Sequence, residues 1–184
     1  MAHTHLTDAL LTRARAIKLL ALDVDGVLTD GRLYYQDNGR ESKSFNILDG
    51  QGIRLLIQSG VSIAIITGRE SSMVTRRAQE LGIAHVYQNC KDKWAVLTAL
   101  ANEQNLELTQ IAYCGDDLPD LYTICHVGLG LSVPNAPEYI QSKARYVTQQ
   151  AGGYGAVREI CELIIQAQGG WEAVMARYQH DQYS

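Results

Sequence analysis

The segment Asp23-Val-Asp25-Gly26-Val27-Leu28-Thr29 sets two carboxylates two residues apart, directly after an apolar run and directly before a glycine. An aspartate beside a divalent cation can keep one oxygen on the metal and offer the other for in-line attack on phosphorus. A second acid two residues on, lifted off the strand end at Gly26, could protonate a leaving alkoxide and later deprotonate the hydrolytic water. Thr67-Gly68-Arg69, Lys93 and Gly115-Asp116-Asp117 supply further polar groups. Carboxylates gathered from such segments repel unless a cation neutralises them, and hard oxygen donors with few others favour Mg²⁺. Magnesium held by one or two carboxylates completes its shell with waters and phosphate oxygens, which points to phosphoryl chemistry. The Thr67 hydroxyl, nearby backbone N–H groups and Lys93 would hold the phosphoryl oxygens.

Taken singly, each piece is ordinary. Asp-x-Asp-Gly is common turn chemistry. It resembles part of a calcium loop, but the third acid and the closing glutamate are missing. Thr-Gly-Arg, a lone lysine and Gly-Asp-Asp are each weak. Four of them in this order, each at a predicted strand or loop end, are hard to obtain by accident.

The elements that must position them follow from hydrophobic patterning. Residues 7–16 have helical spacing, and Ile17–Leu22 is a short continuous apolar run of the kind buried on both faces of a sheet. Residues 32–35 and 42–45 flank Gln36-Asp-Asn-Gly39, which has hairpin turn chemistry. Helices are predicted over 52–58, 71–81, 94–104, 118–125 and 156–166. Strands are predicted over 61–66, 84–87, 111–114, 127–131 and 146–147. This alternation implies an α/β fold, a parallel sheet flanked by helices, with a β-hairpin after the first strand. Sites in such sheets gather at the carboxyl ends of strands, where Asp23, Thr67 and Asp116 all fall.

A chain of 184 residues, 46% hydrophobic and 20% charged, reads as one soluble domain spanning 1–184. The net charge of −4 argues against nucleic-acid binding. No apolar run approaches the roughly 20 residues that span a bilayer, and the first sixteen residues lack a secretory signal. Cys90, Cys114, Cys125 and Cys161 are scattered, which fits free thiols in a reducing, cytoplasmic compartment. The segment from Gly169 to Ser184 reads as a Gln- and Tyr-rich surface tail, mobile or docked on a neighbour, with His180 and Tyr183 as candidates to reach a neighbouring site.

Together these residues resemble the haloacid dehalogenase phosphatase superfamily, whose four motifs match Asp23–Thr29, Thr67 with Gly68, Lys93, and Gly115–Asp117 with Asp120. The resemblance implies a three-layer Rossmann-like fold with Asp23 as nucleophile and Asp25 as general acid/base. It implies Mg²⁺ on the Asp23 and Asp116 carboxylates and the Asp25 backbone carbonyl, with Asp117 and Asp120 outside the ligand set, fixing waters or Lys93. Residues 45–54, 65–69 and 152–159 are similar to the phosphatases of 3-deoxy-D-manno-octulosonate 8-phosphate (KDO 8-phosphate), over about residues 17–168. That family lacks a separate cap domain and acts in lipopolysaccharide biosynthesis. It forms homotetramers in which one subunit's hairpin and tail help close a neighbour's site. Its substrate contacts map onto Asp25, Asn46, Ile47, Leu48, Asp49, Gly50, Arg54, Thr67, Gly68, Arg69, Arg77 and Lys93. The substrate carries a phosphate and a carboxylate, and an arginine fork binds a carboxylate in bidentate fashion. Relatives acting on the nine-carbon sugar-acid phosphate have Glu where this chain has Arg69.

Two positions depart from the family pattern: Asn89 stands where Gly is usual, and Tyr154 replaces a usually basic residue. Asn tolerates left-handed backbone better than most residues. The alternatives are the same chemistry on another sugar-acid phosphate, or a phospho-acceptor signalling module. Signalling receivers carry their acceptor mid-chain and lack an acid two residues on, so Asp25 and the first-strand position speak against the second.

Overall fold

The computed structural model describes residues 7–179. Six parallel strands form the sheet in the order β5-β4-β1-β6-β7-β8. They are β1 (Leu19–Leu22), β4 (Ser62–Ile66), β5 (His85–Tyr87), β6 (Ile111–Cys114), β7 (Leu129–Ser132) and β8 (Tyr146–Val147). The central strand β1 is buried at every position, as its unbroken apolar run requires. Leu22 pairs with Ile65 of β4 on one side and Cys114 of β6 on the other. In a parallel sheet that register carries the residues just beyond, Asp23, Ile66-Thr67 and Gly115-Asp116, to one common edge.

The helices are α1 (Asp8–Arg15), α2 (Ile47–Gln58), α3 (Ser72–Leu81), α4 (Lys93–Glu103), α5 (Leu118–His126), α6 (Glu138–Gln141), α7 (Ala156–Ala167) and α8 (Trp171–Gln179). Helices α1 and α2 both pack on α7, while α4 packs on α5. Between β1 and α2 the chain makes only a two-stranded ribbon, β2 (Tyr34–Tyr35) with β3 (Glu41–Ser42), in place of a cap domain. Its strands are shorter than the sequence suggests, and Tyr35 is 70% exposed. Among the described residues no helix is long and apolar enough to cross a membrane, and all four cysteines are free.

Helix α6 was not expected, and two further helices, α2 and α8, differ from expectation. Helix α2 begins at Ile47 instead of residue 52, because the Asn46 side chain accepts the Leu48 N–H at 2.8 Å and caps the start. Gly50 and Gly52 are where the Arg77 guanidinium and helix α7 come close. The expected surface tail is helix α8 as far as Gln179, docked on its own subunit. Val174 is buried, Gln51 Nε2 donates to Tyr178 Oη at 2.9 Å, and Arg177 Nη1 donates to Gln58 Oε1 at 2.6 Å. Its few apolar residues sit at helical spacing on one face, a signal that the Gln and Tyr content masked. His180 and Tyr183 lie outside the described residues.

Helix α7 starts at Gly155, which has no side chain to cap it. Asp49 of α2 takes over: its Oδ1 accepts the Arg158 N–H at 2.8 Å near the amides of Gly155 and Val157, while its Oδ2 is buried without a hydrogen-bond partner. Burial raises the Asp49 pKa while these amides oppose the rise. Asp49→Ala is expected to cost about 1–2 kcal/mol, the worth of a helix N-cap, read as a lower urea midpoint. Asp49→Asn, which keeps an acceptor oxygen, should lose clearly less.

Candidate active site

Asp23 leaves β1 with its N–H bonded to Cys114 O at 3.0 Å, and the next residues wind into a tight turn. The N–H groups of Leu28 and Thr29 both donate to Val24 O, at 2.9 and 3.0 Å. Gly26 sits at φ 94°, and a Cβ there would lie 1.9 Å from Asp116 Oδ2. Only glycine fits both the left-handed backbone and the approach of that carboxylate. The turn is clamped from behind. Asn135 Nδ2 donates to Gly26 O at 3.0 Å, and Asn135 Oδ1 accepts the Gly152 N–H at 2.8 Å. Gly152 lies so near that a Cβ would fall 1.7 Å from Gly26 O. Gly153 N–H donates to Val27 O at 3.0 Å, and Asn46 Nδ2 donates to Gly153 O at 3.2 Å.

The four predicted segments converge. Asp23, Asp116 and Asp120 each present a carboxylate oxygen within 4.8 Å of the others. Lys93, the first residue of α4, is buried between Asp23 Oδ1 at 2.9 Å and Asp120 Oδ1 at 2.6 Å. Asp120 is fully engaged. Its Oδ1 also accepts from Tyr113 Oη at 2.5 Å, and its Oδ2 accepts the Asp116 and Asp117 N–H groups at 3.1 and 3.2 Å. It therefore acts as a bracket for Lys93 and the Gly115-Asp116 turn, leaving Asp23 and Asp116 as the oxygens for a cation. Asp117 caps α5, accepting the Leu118 N–H at 2.8 Å. Thr67 is buried at the end of β4, with Gly68 and Arg69 exposed beyond it.

The electrostatics fit a cation. Burial first, then Asp120, pushes the Asp23 carboxyl up to about 6, against the pull of Lys93. Burial, then Asp23 and Asp120, pushes Asp116 up to about 7. Burial alone would lower the Lys93 ammonium, but Asp23 and Asp120 override it and raise it. Two carboxylates that resist ionisation side by side are a donor set short of positive charge. With the Asp25 backbone carbonyl, they would hold Mg²⁺.

Other expected substrate residues are spread around this cluster. Asp25 pairs through Oδ1 with the Lys43 ammonium, and Arg69 Nε stands 4.0 Å from its Oδ2. Asn46 caps α2, while Ile47 and Leu48 are exposed on its first turn. Gly50 is buried against Arg77. Arg77 Nη2 donates to Asn46 O at 3.2 Å and Arg54 Nη2 to Glu80 O at 2.9 Å, so both guanidiniums are engaged between α2 and α3. Asp49 is 1% exposed, with Oδ1 on the Arg158 N–H and Oδ2 buried without a hydrogen-bond partner. Asn89 adopts φ 56°, the left-handed backbone a glycine would supply, and its N–H donates to Arg69 O at 3.3 Å. Tyr154 is 60% exposed.

Sequence reasoning missed Lys43, Tyr113 and Asn135. A tyrosine hydroxyl inside the apolar run before Gly115-Asp116 was a usable signal, because a buried hydroxyl needs a partner. Asn135, in a loop after Pro134, and Lys43, in a polar hairpin, gave none.

Comparison with known proteins agrees with this geometry. Residues 82–160 match the model of the haloacid dehalogenase-like hydrolases. The 3-deoxy-D-manno-octulosonate 8-phosphate phosphatase KdsC of Yersinia pestis is 46% identical over 161 residues, 88% of this chain and 86% of that protein. A probable YrbI family phosphatase from Pseudomonas syringae superposes with a TM-score of 0.94 at 52% identity, over 96% of this chain and all of that one. The Moraxella catarrhalis phosphatase, solved with magnesium, phosphate and KDO, gives 0.92 at 47% identity over 95% of this chain and 100% of that chain. Sheet order and acidic site are those of a haloacid dehalogenase-like hydrolase without a cap domain. Within that class, the chain belongs to the KDO 8-phosphate phosphatase family.

The raised carboxyls have a measurable consequence. The folded protein holds protons on Asp23 and Asp116 above the ordinary carboxyl pKa of 3.8, where the unfolded chain has released them. Without metal, stability should therefore fall as pH rises from about 5 to 8, through both folded values. Magnesium needs the ionised pair, so the rise in melting temperature it causes should be larger at the upper end. Asp116→Asn should flatten the metal-free profile and remove most of the magnesium shift.

Proposed function

We propose that this protein hydrolyses KDO 8-phosphate to KDO and inorganic phosphate, a step of lipopolysaccharide biosynthesis, through a phosphorylated Asp23. The observation that carries the reading is the buried Asp23 carboxylate set between Lys93 and Asp116 at the strand ends. Bound magnesium would neutralise the charge of the carboxylates and the incoming phosphoryl group. Asp23 attacks phosphorus in line while the bond from phosphorus to the sugar oxygen breaks. Asp25 gives its proton to that oxygen. Water then attacks the aspartyl-phosphate, Asp25 takes back a proton, and phosphate leaves with the Asp23 carboxylate restored. Lys93 and Thr67 hold phosphoryl oxygens throughout, and Asp120 keeps the Lys93 ammonium in place.

Substrate choice falls to the cations around the phosphate site. Arg69, exposed beyond Thr67, is assigned to the sugar-acid carboxylate, with Asn46–Gly50, Arg54 and Arg77 forming further contacts, in part across a subunit boundary. Leu33, Tyr34, Tyr35, Ile47 and Leu48 are exposed on the hairpin segment and the first turn of α2, which supports a homotetramer in which these residues meet a neighbour. Four free thiols support a reducing, cytoplasmic setting.

A phosphate-release panel of sugar-acid and neutral phosphosugars, with and without magnesium, tests the reading. KDO 8-phosphate should lead it, and release should need the metal. Preference for another sugar-acid phosphate would move the substrate but leave the chemistry. Asp23→Asn should lose more than about 10³-fold in kcat without unfolding. Appreciable turnover by that variant would end the covalent mechanism. Arg69→Ala should lose about 2 kcal/mol, ~30-fold in kcat/KM, on KDO 8-phosphate relative to a carboxylate-free ester.

A further inference from the structure

The hairpin is exposed over most of its length, yet the Lys43 side chain just after β3 is only 2% exposed. Its ammonium pairs with Asp25 Oδ1 and lies 3.4 Å from Glu41 Oε1. Glu41 Oε2 accepts from Arg69 Nη2 at 2.6 Å, and Arg69 Nε stands 4.0 Å from Asp25 Oδ2. Two acids and two bases thus close a ring that ties the hairpin to the turn after β1. A lysine on a surface ribbon ordinarily extends its charge into water. Burying it costs several kcal/mol unless a carboxylate compensates. Here the compensating carboxylate is the one assigned to proton transfer.

We infer that Lys43 is a positioning residue for Asp25, an inference that rests on the acid/base role given to Asp25 above. Holding Oδ1 fixes the carboxylate plane. Oδ2, outside hydrogen-bonding reach of Arg69 Nε, is left as the oxygen that carries the proton to the leaving group. Asp23 and Asp25 then each pair with a buried ammonium, Lys93 (shared with Asp120) and Lys43. General acid catalysis depends on placement within hydrogen-bond reach of the leaving oxygen, so a loosened Asp25 loses rate before it loses binding.

Leaving-group dependence reads this role directly. An alkyl phosphate needs its leaving oxygen protonated, whereas the nitrophenolate of p-nitrophenyl phosphate departs without a proton. The quantity to compare is kcat/KM, which reports the first phosphoryl transfer. Lys43→Met should lower it about 30-fold on KDO 8-phosphate, or on any alkyl phosphate the wild type turns over, and less than about threefold on the nitrophenyl ester. Lys43→Arg should recover most of the alkyl loss. Should Lys43→Met melt below the assay temperature, Lys43→Gln carries the same comparison. Equal losses on both esters in a folded variant, or no loss on either, would overturn the inference. Asp25→Asn separates the two levels. If it does not discriminate between the esters, the acid/base assignment fails. If it does and the Lys43 variants do not, only the role of Lys43 fails.

Discussion

The Lys93 ammonium lies 2.9 Å from one Asp23 oxygen and 2.6 Å from one Asp120 oxygen, with 5% of its side chain exposed. Burial opposes all of these charges, and a single ammonium cannot satisfy three carboxylates. Asp120 is satisfied by other means, through the Tyr113 hydroxyl and two backbone amides. The deficit therefore falls on Asp23 and Asp116, whose carboxyls are both held well above the ordinary range. A site built this way is destabilising when empty of cations and favourable with one.

That constraint propagates into the backbone. Asp116 can come alongside Asp23 only if the turn after β1 has no side chain at residue 26, and the turn keeps its shape only if something holds it from outside. The outer layer is the segment 152–153, bonded to Val27 O and bridged to Gly26 O by Asn135. Its continuation, the start of α7, is capped by Asp49 from α2. The glycine-rich motif near the chain's end is thus the second wall of the Asp23 turn, and α2 packs on the helix that continues it.

Much of this was legible because parallel sheets convert one-dimensional patterns into three-dimensional positions. Buried strands read as apolar runs, the register of β1 with β4 and β6 brings their ends level, and the polar residue that follows each run lands at the site. Asp23, Thr67 and Asp116 followed from that rule alone. Roles that depend on side-chain orientation did not. Strand-end position alone does not separate Asp116 from Asp120 as cation donors, since both follow β6, and only the motif resemblance did; in the structure the difference lies in which oxygens the Tyr113 hydroxyl and the amides of 116–117 occupy. The beginning of α2 was hidden by its glycines, and α8 by polar content around a narrow apolar face. In each case a tertiary contact, with Arg77, α7 or the Gln51–Tyr178 pair, overrode the local signal.

The missing cap gives the hairpin its importance. Only residues 24–46 separate Asp23 from α2. A ribbon with two-residue strands has little core of its own and is marginal in isolation. It needs an anchor where it meets the site, and an ion pair to the acid already there serves both ends. The ring through Lys43, Glu41 and Arg69 fixes the ribbon on the scaffold and, by the same contacts, the acid on the ribbon. Stability of the hairpin and geometry of the acid are then a single quantity. With Asp25 in the acid/base role proposed for it, a change on the exposed ribbon that weakens its docking would surface as a defect in proton transfer, with the core fold and the Asp23–Lys93 pair left intact.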